Sequence, residues 1–193
     1  MNRVVRVPTS LGRASRRRGP VFAALDFETA DQGRDSACAL AVVRVEGTRI
    51  VAKEARLIRP PRRNFVFTHI HGLTWEDVAG APAFDEVWAE LGPLVADVDF
   101  LAAHNAPFDR SVLARCCEDF GLEPPETPFE CTVKLARSTW GIYPTKLPNV
   151  CEYLGISLRH HDASSDAEAC ARIVLAALKD GARPLVGRPA PWT

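Results

Sequence analysis

The stretch that decides the fold is VFAALDFETA, residues 21–30 of the 193-residue chain. Residues 21–27 form a short apolar run rich in strand formers, and the run ends in the acids Asp26 and Glu28. In a strand, residues i and i+2 project from the same face, so these two carboxylates should point side by side. The stretch therefore predicts a buried strand with a pair of acids at its end.

Working outward, the pattern predicts three consecutive strands and then alternating helices and strands. Residues 37–45 and 48–58 flank Glu46-Gly47, which is typical of a tight hairpin. Apolar residues recur at helical spacing over 84–95, and later strands and helices follow. The later elements are predicted at 98–103 (strand), 107–120 (helix), 129–133 (strand), 133–140, 148–154 and 165–178 (helices). This order predicts an α/β fold with a mixed five-stranded sheet and helices on both faces.

Three finer predictions concern connections and caps. Residues 62–73 are predicted to be an irregular connection. Thr74 should cap a short helix over residues 75–79, with Asp77 completing the cap. Ser165 and Glu168 have the spacing of a capping box, which predicts that the last helix begins at about Ser165.

The charge of the chain is unevenly distributed although its formal net charge is zero. Residues 1–19 contain six arginines and no acid, so the other 174 residues have 18 basic and 24 acidic side chains, a net charge of −6. Nucleic-acid binders usually present a basic face, and this body does not. If the protein handles a polyanion, bound metal must supply much of the local positive charge.

The chain length suits a single domain, which we place at residues 20–180. We expect residues 1–19 to be a disordered, Arg-rich leader, in preference to a transit peptide, and residues 181–193 to be a loose Pro/Gly-rich tail. No stretch approaches the roughly 18 apolar residues of a membrane span. The six cysteines form no C-x-x-C pair, which favours free thiols in a reducing compartment and predicts a cytoplasmic location.

Further acids and a histidine lie far along the chain from Asp26. Asp109 falls in the first turn of its predicted helix, where a plain capping role is the alternative, while His161 and Asp166 bracket the start of the last helix. Taken alone, Asp26 and Glu28 are better explained as a strand that runs into a solvated turn, and His161 as a surface residue beside His160. The joint pattern nevertheless favours a site for Mg²⁺ or Mn²⁺, since both prefer oxygen ligands.

The ordered motifs resemble those of a known family. They are DFETA at residues 26–30, HGLT at 71–74, HNAPFD at 104–109 and HDASSDA at 161–167. This set is similar to the DEDDh 3′–5′ exonucleases, ribonuclease H-like nucleases that include the proofreading epsilon subunit of bacterial DNA polymerase III. The resemblance covers about residues 20–180 and implies the ribonuclease H-like fold.

The resemblance also implies a role for each matching residue. Asp26, Glu28, Asp109 and Asp166 would bind two divalent metal ions, Mg²⁺ or Mn²⁺, and His161 would be the general base. Contacts to the terminal nucleotides would come from Thr29, His71, Asn105 and Phe108. Phe108 is equally well explained by core packing, and as a substrate contact it would stack on or wedge beside a base.

The implied reaction is hydrolysis at the 3′ end of DNA, releasing nucleoside 5′-monophosphates in proofreading or repair. Single-stranded or frayed ends are the expected substrate, and a DNA polymerase is a possible partner. Three alternatives stay open: an exoribonuclease that trims RNA, a binding subunit docked on a polymerase through the leader or the tail, and a metal-bound regulatory module. The complete set of acids disfavours the binding subunit, because a scaffold has no use for clustered uncompensated charge.

Overall fold

The computed structural model describes residues 19–183. The arginines of the predicted leader and residues 184–193 of the predicted tail lie outside the described residues, so the predictions for both segments stay predictions. Within residues 19–183, no helix combines the length and apolarity that crossing a membrane requires. The six cysteines all lie in this part of the chain, and all are free and buried.

The described residues form five strands and seven helices, and apart from the unpredicted helix Thr68–His71 they follow the predicted order. The strands are β1 (Val21–Thr29), β2 (Ala37–Glu46), β3 (Arg49–Leu57), β4 (Phe100–Ala103) and β5 (Phe129–Cys131). The helices are α1 (Thr68–His71), α2 (Trp75–Val78), α3 (Phe84–Val95), α4 (Ala106–Asp119), α5 (Thr132–Trp140), α6 (Leu147–Leu154) and α7 (Ala163–Lys179).

The strands form one mixed sheet in the order β3-β2-β1-β4-β5, which confirms the predicted five-stranded sheet. β1 pairs antiparallel with β2 and parallel with β4, and β4 pairs parallel with β5. Because β1 and β4 run in the same direction, their carboxyl ends meet at one edge of the sheet. Asp26 and Glu28 lie at the end of β1, and the loop after β4 leads directly into α4.

Helices cover both faces of the sheet, as predicted. Alternate residues of β1 point to opposite faces: Phe22 and Ala24 pack with residues of α5, α6 and α7, whereas Ala23 and Leu25 pack with residues of α3 and α4. By the same alternation, Asp26 and Glu28 belong to the α7 face.

Small side chains bring α7 close to the sheet. The buried residues of α7 that pack on the sheet are mostly Ala, and they meet Ala24, Ala39 and Ala41 of β1 and β2. Close-packed small residues let the backbones of helix and sheet approach each other. This approach places the first turn of α7, with Asp166, beside the acids of β1.

The hairpin and one cap are confirmed, and two local predictions are wrong. Glu46 pairs with Arg49 across a two-residue loop, and Thr74 and Asp77 form a capping box. Residues 62–73 are not wholly irregular, because they contain α1, which ends at Gly72 in the left-handed conformation.

The predicted start of the last helix is also wrong. α7 begins at Ala163, and the carboxylate of Asp162 caps it by accepting the Ser165 N–H at 3.0 Å. The Ser165 hydroxyl instead accepts the Arg159 N–H at 2.8 Å, and Glu168 pairs with Lys53 at 2.6 Å. Both side chains of the expected capping box therefore have other partners.

Candidate active site

Three carboxylates converge where β1 meets the start of α7. Oxygens of Asp26, Glu28 and Asp166 lie within 4.8 Å of one another. Asp26 and Glu28 are half-buried and Asp166 is buried. The strand alternation supplies two of the acids and the close approach of α7 supplies the third, so residues about 140 positions apart in sequence share one site.

Asp109 reaches the same strand from the opposite face of the sheet. It lies in the first turn of α4, is buried, and its Oδ1 accepts the N–H of Phe27 at 3.2 Å. Asp109 is not in the 4.8 Å group. Its charge nevertheless helps to raise the pKa values of Asp26 and Glu28, so the four acids form one electrostatic cluster.

Burial raises the pKa of every acid in the cluster. Burial is the largest cause in each case, and repulsion by the neighbouring carboxylates adds to it for Asp26 and Glu28. The pKa of Glu28 rises to about 8 and that of Asp109 to about 7, while the pKa values of Asp26 and Asp166 are also raised. The metal-free cluster therefore holds protons that a cation would displace.

One oxygen of Asp166 fits a cation ligand. Asp166 Oδ2 accepts the His161 N–H at 3.1 Å and faces Nδ1 of His160 at 2.9 Å. Asp166 Oδ1 is buried and has no hydrogen-bond partner among residues 19–183. A buried carboxylate oxygen without a donor is costly unless a cation compensates it. The set of carboxylate oxygens suits Mg²⁺ or Mn²⁺.

His161 lies on the exposed loop between α6 and α7, beside the carboxylates. Its backbone is in the left-handed region, with φ of 69°, which is uncommon for a residue with a side chain. Burial, followed by the neighbouring His160, lowers the pKa of His161, so the ring is neutral at neutral pH. A neutral imidazole at this place can accept a proton.

The sequence reasoning missed His160. Its ring stacks on that of His161, with centroids 3.8 Å apart, and its Nδ1 donates to Asp166 when the imidazole carries the proton there. The adjacent pair of histidines was the only signal in the sequence. Nothing in the pattern indicated that the first histidine contacts a candidate metal ligand.

Two of the predicted substrate contacts, Thr29 and His71, are hydrogen-bonded to each other. The Nε2 of His71 donates to the Thr29 carbonyl at 3.2 Å, while its Nδ1 accepts the Leu73 N–H at 3.1 Å. Both ring nitrogens are thus used, and burial lowers the pKa of His71. His71, Glu28 and His161 line a cleft of about 280 Å³.

The other two predicted contacts, Asn105 and Phe108, lie at the start of α4. Asn105 is exposed and has a left-handed backbone, with φ of 75°. Phe108 is half-buried against the core formed with α3 and α4, and the guanidinium of Arg34 lies 4.3 Å from its ring centroid. The packing explanation of Phe108 therefore holds for part of the ring, and an arginine that we did not predict contacts the ring as well.

His104 has a structural position that its motif did not reveal. It follows β4, and its Nδ1 lies 2.9 Å from the Thr132 hydroxyl while its Nε2 lies 3.0 Å from the Thr145 carbonyl. Burial lowers the pKa of His104 to about 4, so the ring is neutral. It ties the loop before α4 to α5 and to the loop before α6.

The chain matches the sequence profile of a known family over most of its length. The profile of the exonuclease family, RNase_T, matches residues 23–174, which include all four acids and His161. The chain belongs to the exonuclease family. The match confirms the predicted resemblance to the DEDDh, DnaQ-like 3′–5′ exonucleases.

Relatives of this chain include much longer proteins. The chain is 33% identical over 159 residues to the PolC-type DNA polymerase III of Thermotoga maritima, covering 80% of this chain and 12% of the relative. It is 30% identical over 152 residues to the corresponding protein of Bacillus subtilis, covering 77% of this chain and 10% of the relative. The chain thus spans about a tenth of the length of these polymerases.

Solved structures confirm the fold of this chain. The nuclease domain of 3′hExo, a DEDDh family member bound to rAMP, is similar with a TM-score of 0.73 at 21% identity, covering 91% of this chain and 99% of that one. Exonuclease X in complex with 5′ overhanging duplex DNA gives 0.71 at 23% identity, covering 86% and 97%. The expected ribonuclease H-like fold is confirmed.

Proposed function

We propose that this protein is a metal-dependent exonuclease that removes nucleotides from the 3′ end of DNA. The observation that supports the proposal best is the group of three carboxylates within 4.8 Å, which contains a buried oxygen without a donor. A neutral histidine lies directly beside it. Repelling carboxylates with raised pKa values are expected where cations bind during function.

In this proposal Asp26, Glu28, Asp109 and Asp166 hold two divalent ions, Mg²⁺ or Mn²⁺. When bound, two such ions activate a water molecule and stabilise the leaving oxygen of a phosphodiester. His161 accepts the proton of the attacking water. The water oxygen bonds to phosphorus, the bond from phosphorus to the 3′ oxygen breaks, and the released 3′ oxygen takes up a proton from solvent. The products are a nucleoside 5′-monophosphate and a strand that is shorter by one nucleotide with a 3′-hydroxyl.

The residues around the acids would position the terminal nucleotides. His71 lines the cleft and is hydrogen-bonded to the carbonyl of Thr29, whereas Asn105 and Phe108 lie at the start of α4 next to Asp109. We assign these four residues to substrate binding. His71 acts there as a neutral positioning residue, because both of its ring nitrogens already have partners.

DNA is the proposed polymer because the relatives at 30% identity or more are DNA polymerases of the PolC type. RNA is the second candidate, favoured by the similarity to a nuclease domain that was solved bound to rAMP. The same relatives support the proposal that this protein acts together with a DNA polymerase. It would either be a free chain that acts beside the polymerase or a subunit that is docked on it. We keep the cytoplasm as the predicted location.

A degradation assay tests polarity, polymer and metal dependence together. Single-stranded DNA, duplex DNA and RNA of one sequence, each labelled at the 5′ or the 3′ end, are incubated with Mg²⁺, Mn²⁺ or EDTA. We expect 5′-labelled single-stranded DNA to shorten stepwise with either metal and to stay intact in EDTA. Faster loss of RNA would select the second candidate, and shortening from the 5′ end would contradict the proposal.

A further inference from the structure

We propose that Arg34 binds a phosphate of the nucleic-acid strand near the nucleotide that is being removed. The inference rests on the proposed function and adds a binding residue to it. Arg34 lies in the loop between β1 and β2, directly after the acids of β1. Its guanidinium carbon lies 4.3 Å from the ring centroid of Phe108, whose neighbour in sequence is Asp109.

The position of Arg34 is linked to the acid cluster in two ways. The ring of Phe108 holds the guanidinium over the first turn of α4. The positive charge of Arg34 also acts on Asp109, where it lowers the pKa against the stronger effect of burial. The guanidinium is therefore a cation at the edge of the proposed active site.

The loop that contains Arg34 is held in a fixed shape. Arg62 bridges Asp31 and Asp35 with Nε and Nη1 contacts of 2.6 Å each, and Nη2 contacts both carboxylates as well. The Ser36 hydroxyl donates to the carbonyls of Asp31 and Gly33, so the turn is closed on both sides of Arg34. A fixed loop reduces the entropy that a bound phosphate must overcome.

The donors of Arg34 are available to a ligand. Arg62, Arg56, Arg115 and Arg172 all pair with carboxylates, whereas Arg34 pairs with no carboxylate among residues 19–183. The Arg34 side chain is exposed. A guanidinium presents a planar fork of donors that matches two phosphate oxygens. In a body of net charge −6, an unpaired cation beside the acids counteracts their repulsion of the strand.

If Arg34 contacts a phosphate, replacing it should weaken binding of the strand and make that binding less dependent on salt. Arg34→Ala and Arg34→Lys are compared in a His161→Ala background, with Mg²⁺, by fluorescence anisotropy of a labelled single-stranded oligonucleotide. We expect Arg34→Ala to raise Kd about five- to tenfold. The slope of log Kd against log salt should become shallower by about 0.7, the value for one phosphate contact on a single strand. Arg34→Lys should keep most of the slope and lose part of the affinity.

The matched control is Arg63→Ala. Arg63 is exposed and lies 5.1 Å from the Trp75 ring centroid, so it has the same kind of ring contact on α2 rather than on α4. This variant should leave Kd and slope unchanged. Neutral methylphosphonate linkages, placed singly at each of the last three positions, locate the contact. One of them should weaken binding by the Arg34 form and not by Arg34→Ala.

Two outcomes would overturn the inference: an unchanged slope in Arg34→Ala, or equal losses from every methylphosphonate in both proteins. A role confined to packing on Phe108 would lower the melting temperature without changing the slope. If Arg34→Ala does not fold, the inference is tested with Arg34→Lys and with the methylphosphonate series bound to the protein that retains Arg34. If the wild-type protein degrades no strand with Mg²⁺ or Mn²⁺, the proposed function fails, and the binding data still decide the role of Arg34.

Discussion

At the residue scale, the two oxygens of Asp166 differ sharply in their surroundings. One oxygen has two donors from His160 and His161, in the loop before α7, and the other has none among the described residues. The candidate ligands could be predicted from sequence because each lies in a short motif whose local structure is predictable. His160 and Arg34 could not, because their positions depend on how a loop turns and on which ring lies nearby.

Removing His161 separates proton transfer from metal binding. His161→Ala should lower kcat by about 100-fold or more, the usual contribution of a general base. Mn²⁺ affinity, measured by calorimetry, should stay near the wild-type value because the carboxylates remain. Asp166→Ala is the control that should lose affinity. Equal loss of Mn²⁺ affinity in His161→Ala would make His161 a ligand instead.

Glu28 should make the metal-free protein less stable as pH rises. Its pKa in the folded protein, about 8, lies above its ordinary value of 4.5. The folded state therefore binds the proton more tightly, so this stabilisation is complete below pH 4.5 and is lost as pH rises through 8. Thermal melts in EDTA should show that Glu28→Gln gains stability over wild type between pH 5 and pH 8.5. A constant difference between the two proteins would contradict the assignment.

At the element scale, the periodicity of the sequence predicted the strands and long helices because each buries one face. It failed at connections, where side-chain partners decide the structure. The start of α7 depends on whether Asp162 or Ser165 caps it, and both are good capping residues. The loop from Asp31 to Ser36 depends on Arg62, whose contact with this loop spans about 30 residues of sequence.

Breaking the Arg62 bridge should loosen this loop. Arg62→Met removes two ion pairs and leaves the buried carboxylate of Asp31 with fewer donors, whose loss costs on the order of 1–3 kcal/mol in free energy of unfolding. Because Arg62 itself is partly exposed, we expect the lower half of that range. Urea unfolding measures the change. Arg59→Met, an exposed arginine on the same segment, should be nearly neutral, and equal effects of the two changes would refute the bridge.

The pKa of Asp31 gives this loop a pH signature of opposite sign to that of Glu28. The Arg62 side chain is the largest cause that lowers the pKa of Asp31 from 3.8 to about 2. Its stabilisation is present above pH 3.8 and is lost as pH falls through 2. Acid unfolding should therefore begin at higher pH in Arg62→Met than in Arg59→Met. Coincident acid transitions would show that the ion pairs contribute little.

At the scale of the whole molecule, the site exists because the sheet and both helical layers meet at one edge. β1 supplies two acids, α7 supplies one from its own face, and α4 supplies one from the other face. The order of elements predicted this architecture. Sequence alone could not show that the alanine-rich surfaces of α7 and the sheet bring Asp166 within reach of Asp26.

The most direct test of the central claim is the release of nucleoside 5′-monophosphate from 3′-labelled single-stranded DNA with Mg²⁺. Wild-type protein should release it, while Asp26→Ala should release none above the EDTA background and keep a wild-type circular dichroism spectrum. Glu118→Ala, which removes an exposed acid of α4, is the control and should keep wild-type activity. Wild-type release by a well-folded Asp26→Ala protein would contradict the claim that the carboxylate cluster performs the hydrolysis.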